Sequence, residues 1–147
     1  MKATMLLCDF AEEAGGKLYI MGGGWSRLKR PRVPTTMCLA VNLSISWEEA
    51  QSVHKLKAEL VTSDNETVTL DGSAVRVIGN LQQERDPAST ASRAIPIESN
   101  FVLRFDGLVL DSGIYSWTLE VDDNLMASVA FFVPEDDETT DEGGSSS

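Results

Sequence analysis

Chemistry in this chain has few places to start. His54 is the single histidine, so any Ser-His-Asp or Cys-His arrangement must be built on it. It stands beside Lys55 where a strand is expected to begin, which suits a surface or capping residue. Cys8 and Cys38 are the only cysteines. They lack the CxxC spacing of a redox or zinc site, and with one histidine they do not close a tetrahedral zinc site. Two buried free thiols acting as small hydrophobes are expected, although in an oxidising compartment the pair has the alternative of a disulfide. The acidic pairs read as structure. Asp122-Asp123 fits a hairpin turn, Glu135-Asp136-Asp137-Glu138 lies in a polar tail, and no Asp-x-Asp-x-Asp-Gly calcium loop is present. The sequence therefore assigns no catalytic residue, no metal ligand and no cofactor.

Two neighbouring features stand out more. Gly22-Gly23-Gly24 follows the strand expected over 17–21, where three backbone amides in a row suit a phosphate cradle. Yet no Lys-Ser/Thr pair follows, and Trp25-Ser26-Arg27 does not start a helix, so this is no P-loop. A sharp bend or bulge is the expected use, with a small-ligand site at Gly22 to Trp25 as the alternative. Then come Arg27-Leu28-Lys29-Arg30-Pro31-Arg32, which hold four of the chain's twelve basic residues. Charge and proline on an exposed edge strand would account for them. The functional alternative is a docking stripe for an acidic partner made of Trp25, Arg27, Lys29, Arg30 and Arg32, since Trp and Arg are enriched at binding hot spots.

The elements that position these residues are strands. From Thr36 to Ser46, Met37, Leu39, Val41, Leu43 and Ile45 alternate with smaller or polar residues, the period of a strand. The alternation returns in Tyr115, Trp117, Leu119 and Val121, and after Asp122-Asp123-Asn124 in Leu125, Ala127, Val129, Phe131 and Val133, which reads as a hairpin. Strands are also expected over 3–9, 17–21, 25–30, 54–63, 67–71, 74–82 and 97–106, with a polar loop over 84–94. Only 47–52 looks helical, a turn or two with Ser46 as its cap. Leu39, Val41, Leu43, Leu60, Phe101, Leu103, Phe105, Trp117, Leu119 and Phe131 are expected to share one core. Many short strands and almost no helix predict an all-β fold, an antiparallel β-sandwich of about eight strands. Asp111-x-Gly113-x-Tyr115 has the form of a tyrosine corner, with an ordinary Gly turn as the equal alternative; read as a corner, it implies an immunoglobulin-like or related topology.

Composition bounds the rest. The net charge is −11 over 147 residues, and six of the acidic residues fall between Glu135 and Glu142. We therefore expect a sandwich domain over 1–133 and an acidic, Gly/Ser-ending disordered tail over 134–147. An acidic body argues against nucleic acid or an anionic membrane as a partner of the whole surface. No window has the ~20 apolar residues of a membrane span, and the apolar run at the N-terminus stops at Asp9 without a cleavage site. The expected location is the cytoplasm of the producing cell, or a virion.

The block Cys8-Asp9 through Gly16-Lys17-Leu18-Tyr19-Ile20-Met21-Gly22-Gly23-Gly24-Trp25-Ser26 resembles a family of small uncharacterised proteins from actinobacteria and their bacteriophages. The likeness continues at Ala40-Val41, at Trp47 with His54, and at Gly113-Ile114-Tyr115-Ser116-Trp117. It implies a bacterial or phage source and no activity. With it, the expected function is a non-catalytic interaction or assembly module that binds a protein partner, with a capsid decoration or minor structural protein as the virion form of that reading. A small-ligand binding domain comes second, and a hydrolase built on His54 last.

Overall fold

A computed structural model describes residues 1–82 and 94–136. The polar stretch expected as a loop lies outside them except for Ala94, and so does the tail beyond Asp136. Among the described residues ten strands form: β1 (Lys2–Ala14), β2 (Lys17–Gly23), β3 (Thr35–Ile45), β4 (His54–Thr62), β5 (Thr69–Leu70), β6 (Ser73–Ala74), β7 (Arg76–Leu81), β8 (Ile97–Leu108), β9 (Gly113–Val121) and β10 (Asn124–Val133). Two antiparallel four-stranded sheets, ordered β2-β1-β3-β8 and β10-β9-β4-β7, make the sandwich, and β5-β6 is a small hairpin beside them. Eight principal strands agree with the expectation from alternation. The strand expected over 25–30 does not form, because that segment crosses between the sheets and keeps one isolated bridge, Arg27 to Phe132.

Local chemistry explains the turns. Asp122 and Asp123 both take positive φ (51° and 66°), as a two-residue hairpin turn matched to strand twist requires, and Asp tolerates this conformation. The helical stretch is a single 3-10 turn, Glu49–Gln51. Ser46 Oγ accepts from Glu49 N at 3.1 Å while Glu49 Oε1 accepts from Ser46 N at 3.1 Å, so two end donors are satisfied reciprocally. Tyr115 Oη donates to the Asp111 carbonyl at 2.9 Å, tying β9 to the preceding corner.

The core lies between the sheets. Met37, Leu39, Val41, Leu43 and Ile45 meet Leu60, Trp117, Leu119, Phe131 and Val133, all fully buried or nearly so. Trp117 lies 4.3 Å, centroid to centroid, from Phe105 of the opposite sheet, and Tyr115 stacks on its cross-strand partner Phe131 at 5.6 Å. The expected core holds with one correction: Phe101, Leu103 and Phe105 pack on it only half-buried, because β8 is an edge strand.

β1 is longer than its pairing with β3, which ends at Cys8↔Cys38. Beyond that point β1 and β2 continue as a two-stranded arm. Ala11 and Leu18 of the arm pack with Cys8, Cys38, Ala40 and Val102 in a second apolar cluster. The turn is held by the Asn100 amide, which donates to the Gly16 carbonyl at 2.8 Å. β3 is thus covered on both faces, so its second face carries small side chains rather than charged ones.

Candidate functional site

The glycine bend is built for packing. A Cβ at Gly22 would sit 2.3 Å from Asp9 Oδ2, and one at Gly23 would sit 2.9 Å from Leu6 Cδ2. Gly22 and Gly24 also hold positive φ, 61° and 86°, which glycine adopts at little cost. The Gly24 amide donates to the Leu7 carbonyl at 2.8 Å, so it is not available to a phosphate. The bend turns the chain from β2 toward the other sheet.

There Trp25 lands at the edge of the core, half-buried and edge-to-face with Phe131 at 6.0 Å. The sequence grouped it with the basic residues as a contact surface; the fold places its ring inward, as the plug that fixes the loop's start. Leu28 N then donates to Phe132 O at 2.9 Å and Phe132 N to Ser26 O at 2.8 Å. These bonds cap the free edge of β10, which would otherwise be open to another strand.

The four cations separate from this point. The Arg27 guanidinium lies over the Phe132 ring, 5.2 Å from its centroid, a cation–π contact. A cleft of about 470 Å³ opens beside it, lined by Arg27, Ser112, Gly113, Phe132, Pro134 and Glu135. Lys29 and Arg30 are exposed, and no side chain among the described residues pairs with either. Pro31 is buried, and Arg32 N donates to Leu110 O at 2.7 Å, fastening the far end of the loop. Arg32 itself has φ 56°, which a non-glycine residue keeps only where its surroundings hold it. Its guanidinium is 3.1 Å from Asp136 and 3.6 Å from Asp111.

His54 is engaged on both sides. Nδ1 lies 2.6 Å from Asp122 Oδ2 and Nε2 lies 2.6 Å from the Glu49 carbonyl, both acceptors. A ring facing two acceptors donates from both nitrogens as imidazolium. The hydrogen bond to Asp122, then that to Glu49, raises its pKa, and the His54 contact lowers that of Asp122. Lys55 N also donates to Asp122 at 2.9 Å, and the Met1 ammonium is 2.9 Å from Glu49. Neither imidazole nitrogen is left to take a proton from a nucleophile, so this geometry supports a clasp rather than a general base.

Cys8 and Cys38 are direct cross-strand partners, both free and fully buried beneath the arm. Cys8 Sγ is 3.4 Å from the Cys38 carbonyl oxygen. Burial first, then the neighbouring Cys38 and Asp9, pushes the Cys8 thiol up to about 11, opposite to a reactive cysteine. Among the described residues, no group of three or more His, Cys, Asp and Glu could hold a metal ion, and no helix is long and apolar enough to cross a membrane.

One cluster gave no signal in the sequence. Glu59 is buried on β4, with Arg76 Nε at 3.1 Å, Lys57 Nζ at 3.9 Å and the Thr67 hydroxyl donating at 3.2 Å. Glu120 of β9 joins through Lys57 at 3.4 Å. Register across β7, β4 and β9 assembles it, and its charges are mutually satisfied.

No curated protein and no solved structure matches this chain. The family of unknown function DUF6941 matches residues 3–134, the whole sandwich from the first strand to the end of the last, and the chain belongs to that family.

Proposed function

We propose that the domain is a non-catalytic interaction module that docks an acidic protein segment on the loop from Arg27 to Arg32. The observation that carries this reading is the exposed pair Lys29 and Arg30, without a side-chain partner among the described residues, on a loop fastened at both ends. Flexible surface lysines and arginines are common. Here the backbone is tied to Phe132 and Leu110, so less conformational freedom is lost when a partner binds. Arg27 over Phe132, with the cleft beside it, adds an aromatic and a cation whose positions are already set. Trp25 supports the loop from below.

An acidic protein suits this surface better than nucleic acid. Four cations on a chain of net charge −11 form a local patch, and a long polyanion would be repelled by the rest of the body. We also read the sandwich as immunoglobulin-like. Without the arm strand β2, β1-β3-β8 faces β10-β9-β4-β7, and Tyr115 ties the corner before β9. Such folds serve recognition widely. The resemblance to actinobacterial and phage proteins suggests a bacterial or virion assembly as the setting.

The test is a comparison of immobilised wild-type chain with the triple variant Arg27→Glu, Lys29→Glu, Arg30→Glu, exposed to extract of the native host or purified virions. The wild type should retain acidic proteins that elute as salt rises above physiological strength, because exposed charge pairs are screened. The folded triple variant should retain none of them. Identical retention by both would exclude this surface.

A further inference from the structure

Two segments of this chain carry dense charge of opposite sign, and the fold brings the start of one beside the other. One is the basic loop. The other is the chain leaving β10, where Glu135 and Asp136 precede Asp137, Glu138, Asp141 and Glu142, with no basic residue through Ser147. The hydrogen bonds of Phe132 to Ser26 and Leu28 register the end of β10 against the start of the loop. The chain then stays beside it. Glu135 shares the cleft wall with Arg27, and Asp136 Oδ2 is 3.1 Å from Arg32, which also lies 3.6 Å from Asp111. The acidic run therefore begins at the basic loop.

Resting on the docking surface proposed above, we infer that the acidic segment from Glu135 to Glu142 is an internal occupant of the Arg27–Arg32 loop and competes with the acidic partner for it. Reach is sufficient. Six residues beyond Asp136 span up to about 20 Å when extended, at ~3.3–3.6 Å per residue, as long as the six-residue loop itself. Charge is complementary, with six carboxylates in eight positions meeting four cations in six. A single exposed ion pair such as Arg32–Asp136 contributes little. Tethering changes the balance, because a short linker holds the following carboxylates at an effective concentration on the order of millimolar. A partner that binds the loop must displace the segment, and weak partners are excluded first.

A fluorescein-labelled decaglutamate peptide, followed by anisotropy at low salt, tests this on the full-length chain. One variant neutralises the segment without shortening it: Asp137→Asn, Glu138→Gln, Asp141→Asn and Glu142→Gln. A second removes the same charge elsewhere through Glu12→Gln, Glu48→Gln, Asp64→Asn and Glu66→Gln, all exposed. The first should bind the peptide about three- to tenfold more tightly than the wild type, the gain expected for removing a millimolar competitor of weak intrinsic affinity. The second should bind like the wild type, and high salt should abolish the difference. Equal affinity of the first variant and wild type overturns the internal occupant while leaving the docking surface standing. An equal gain in both variants also overturns it, by showing a net-charge effect. If the first variant binds no peptide, the docking surface fails and the inference falls with it.

Discussion

Trp117 offers the sharpest test of how the sandwich is held. It is fully buried in β9, between Leu60 of β4 and Val129 of β10, and faces Phe105 across the core at 4.3 Å. Its indole Nε1 is buried with no acceptor among the described residues. Trp117→Ala empties the site and should cost about 3–5 kcal/mol. Trp117→Phe has two opposing parts. It loses roughly one to two methylene equivalents of buried surface, about 1–2 kcal/mol. It also deletes an N–H whose burial without a partner costs about 1–3 kcal/mol. The net change should lie within about 1 kcal/mol of zero. For a domain of this length each kcal/mol moves the midpoint by roughly 3–5 °C, so the alanine variant should melt roughly 10–20 °C lower and the phenylalanine variant within about 5 °C of wild type. A double-mutant cycle with Phe105→Ala should show about 0.5–1.5 kcal/mol of coupling between the rings. Urea and thermal unfolding by circular dichroism measure all of these. If Trp117→Phe costs ~3 kcal/mol or more, the indole N–H is satisfied and the accounting is wrong.

Three further outcomes follow from the same geometry. His54 binds its proton more tightly folded than unfolded, so its contribution is full below its ordinary pKa of 6.5 and fades as pH rises through the raised folded value; that of Asp122 is present above 3.8 and fades as pH falls through the lowered folded value. Stability from the pair should thus be greatest between those two ordinary values and decline on the alkaline side, a decline that His54→Gln removes, and an NMR titration placing His54 at or below 6.5 would refute the clasp. Cys8 and Cys38 should react with a thiol reagent only as fast as the arm or the whole domain opens, so rapid labelling of native protein would show that the arm does not cover them. At salt well above physiological strength, where pairing of the acidic segment with the basic loop is screened, deleting Glu135 to Ser147 removes the exposed Arg32–Asp136 pair and should shift the midpoint by no more than a degree or two; a drop of many degrees would mean that the tail packs on the body.

Fold class was legible because its signals are local. Period-two alternation from Thr36 to Ser46 and across Tyr115 to Val133 determines strands with one large-residue face, and Asp122-Asp123 determines the turn between the last two. Ser46 ahead of the 47–52 stretch similarly marks its cap, and the structure adds the reciprocal bond to Glu49. Alternation does not say what covers the other face. That Cys38 and Ala40 are buried follows from the β1–β2 arm returning over β3, and that Phe101, Leu103 and Phe105 are only half-buried follows from β8 standing at an edge. The candidate site divides in the same way. The sequence by itself determined that four cations crowd one loop after a glycine bend. Only the tertiary structure decided their fates: Trp25 turned onto Phe131, Arg27 laid on Phe132, Arg32 taken by Asp111 and Asp136, and Lys29 and Arg30 left to solvent. Asp122 reaches His54 across 68 residues in the same manner. Contacts between distant segments depend on sheet order and register, which arise from packing the whole chain and leave no periodic mark on either segment.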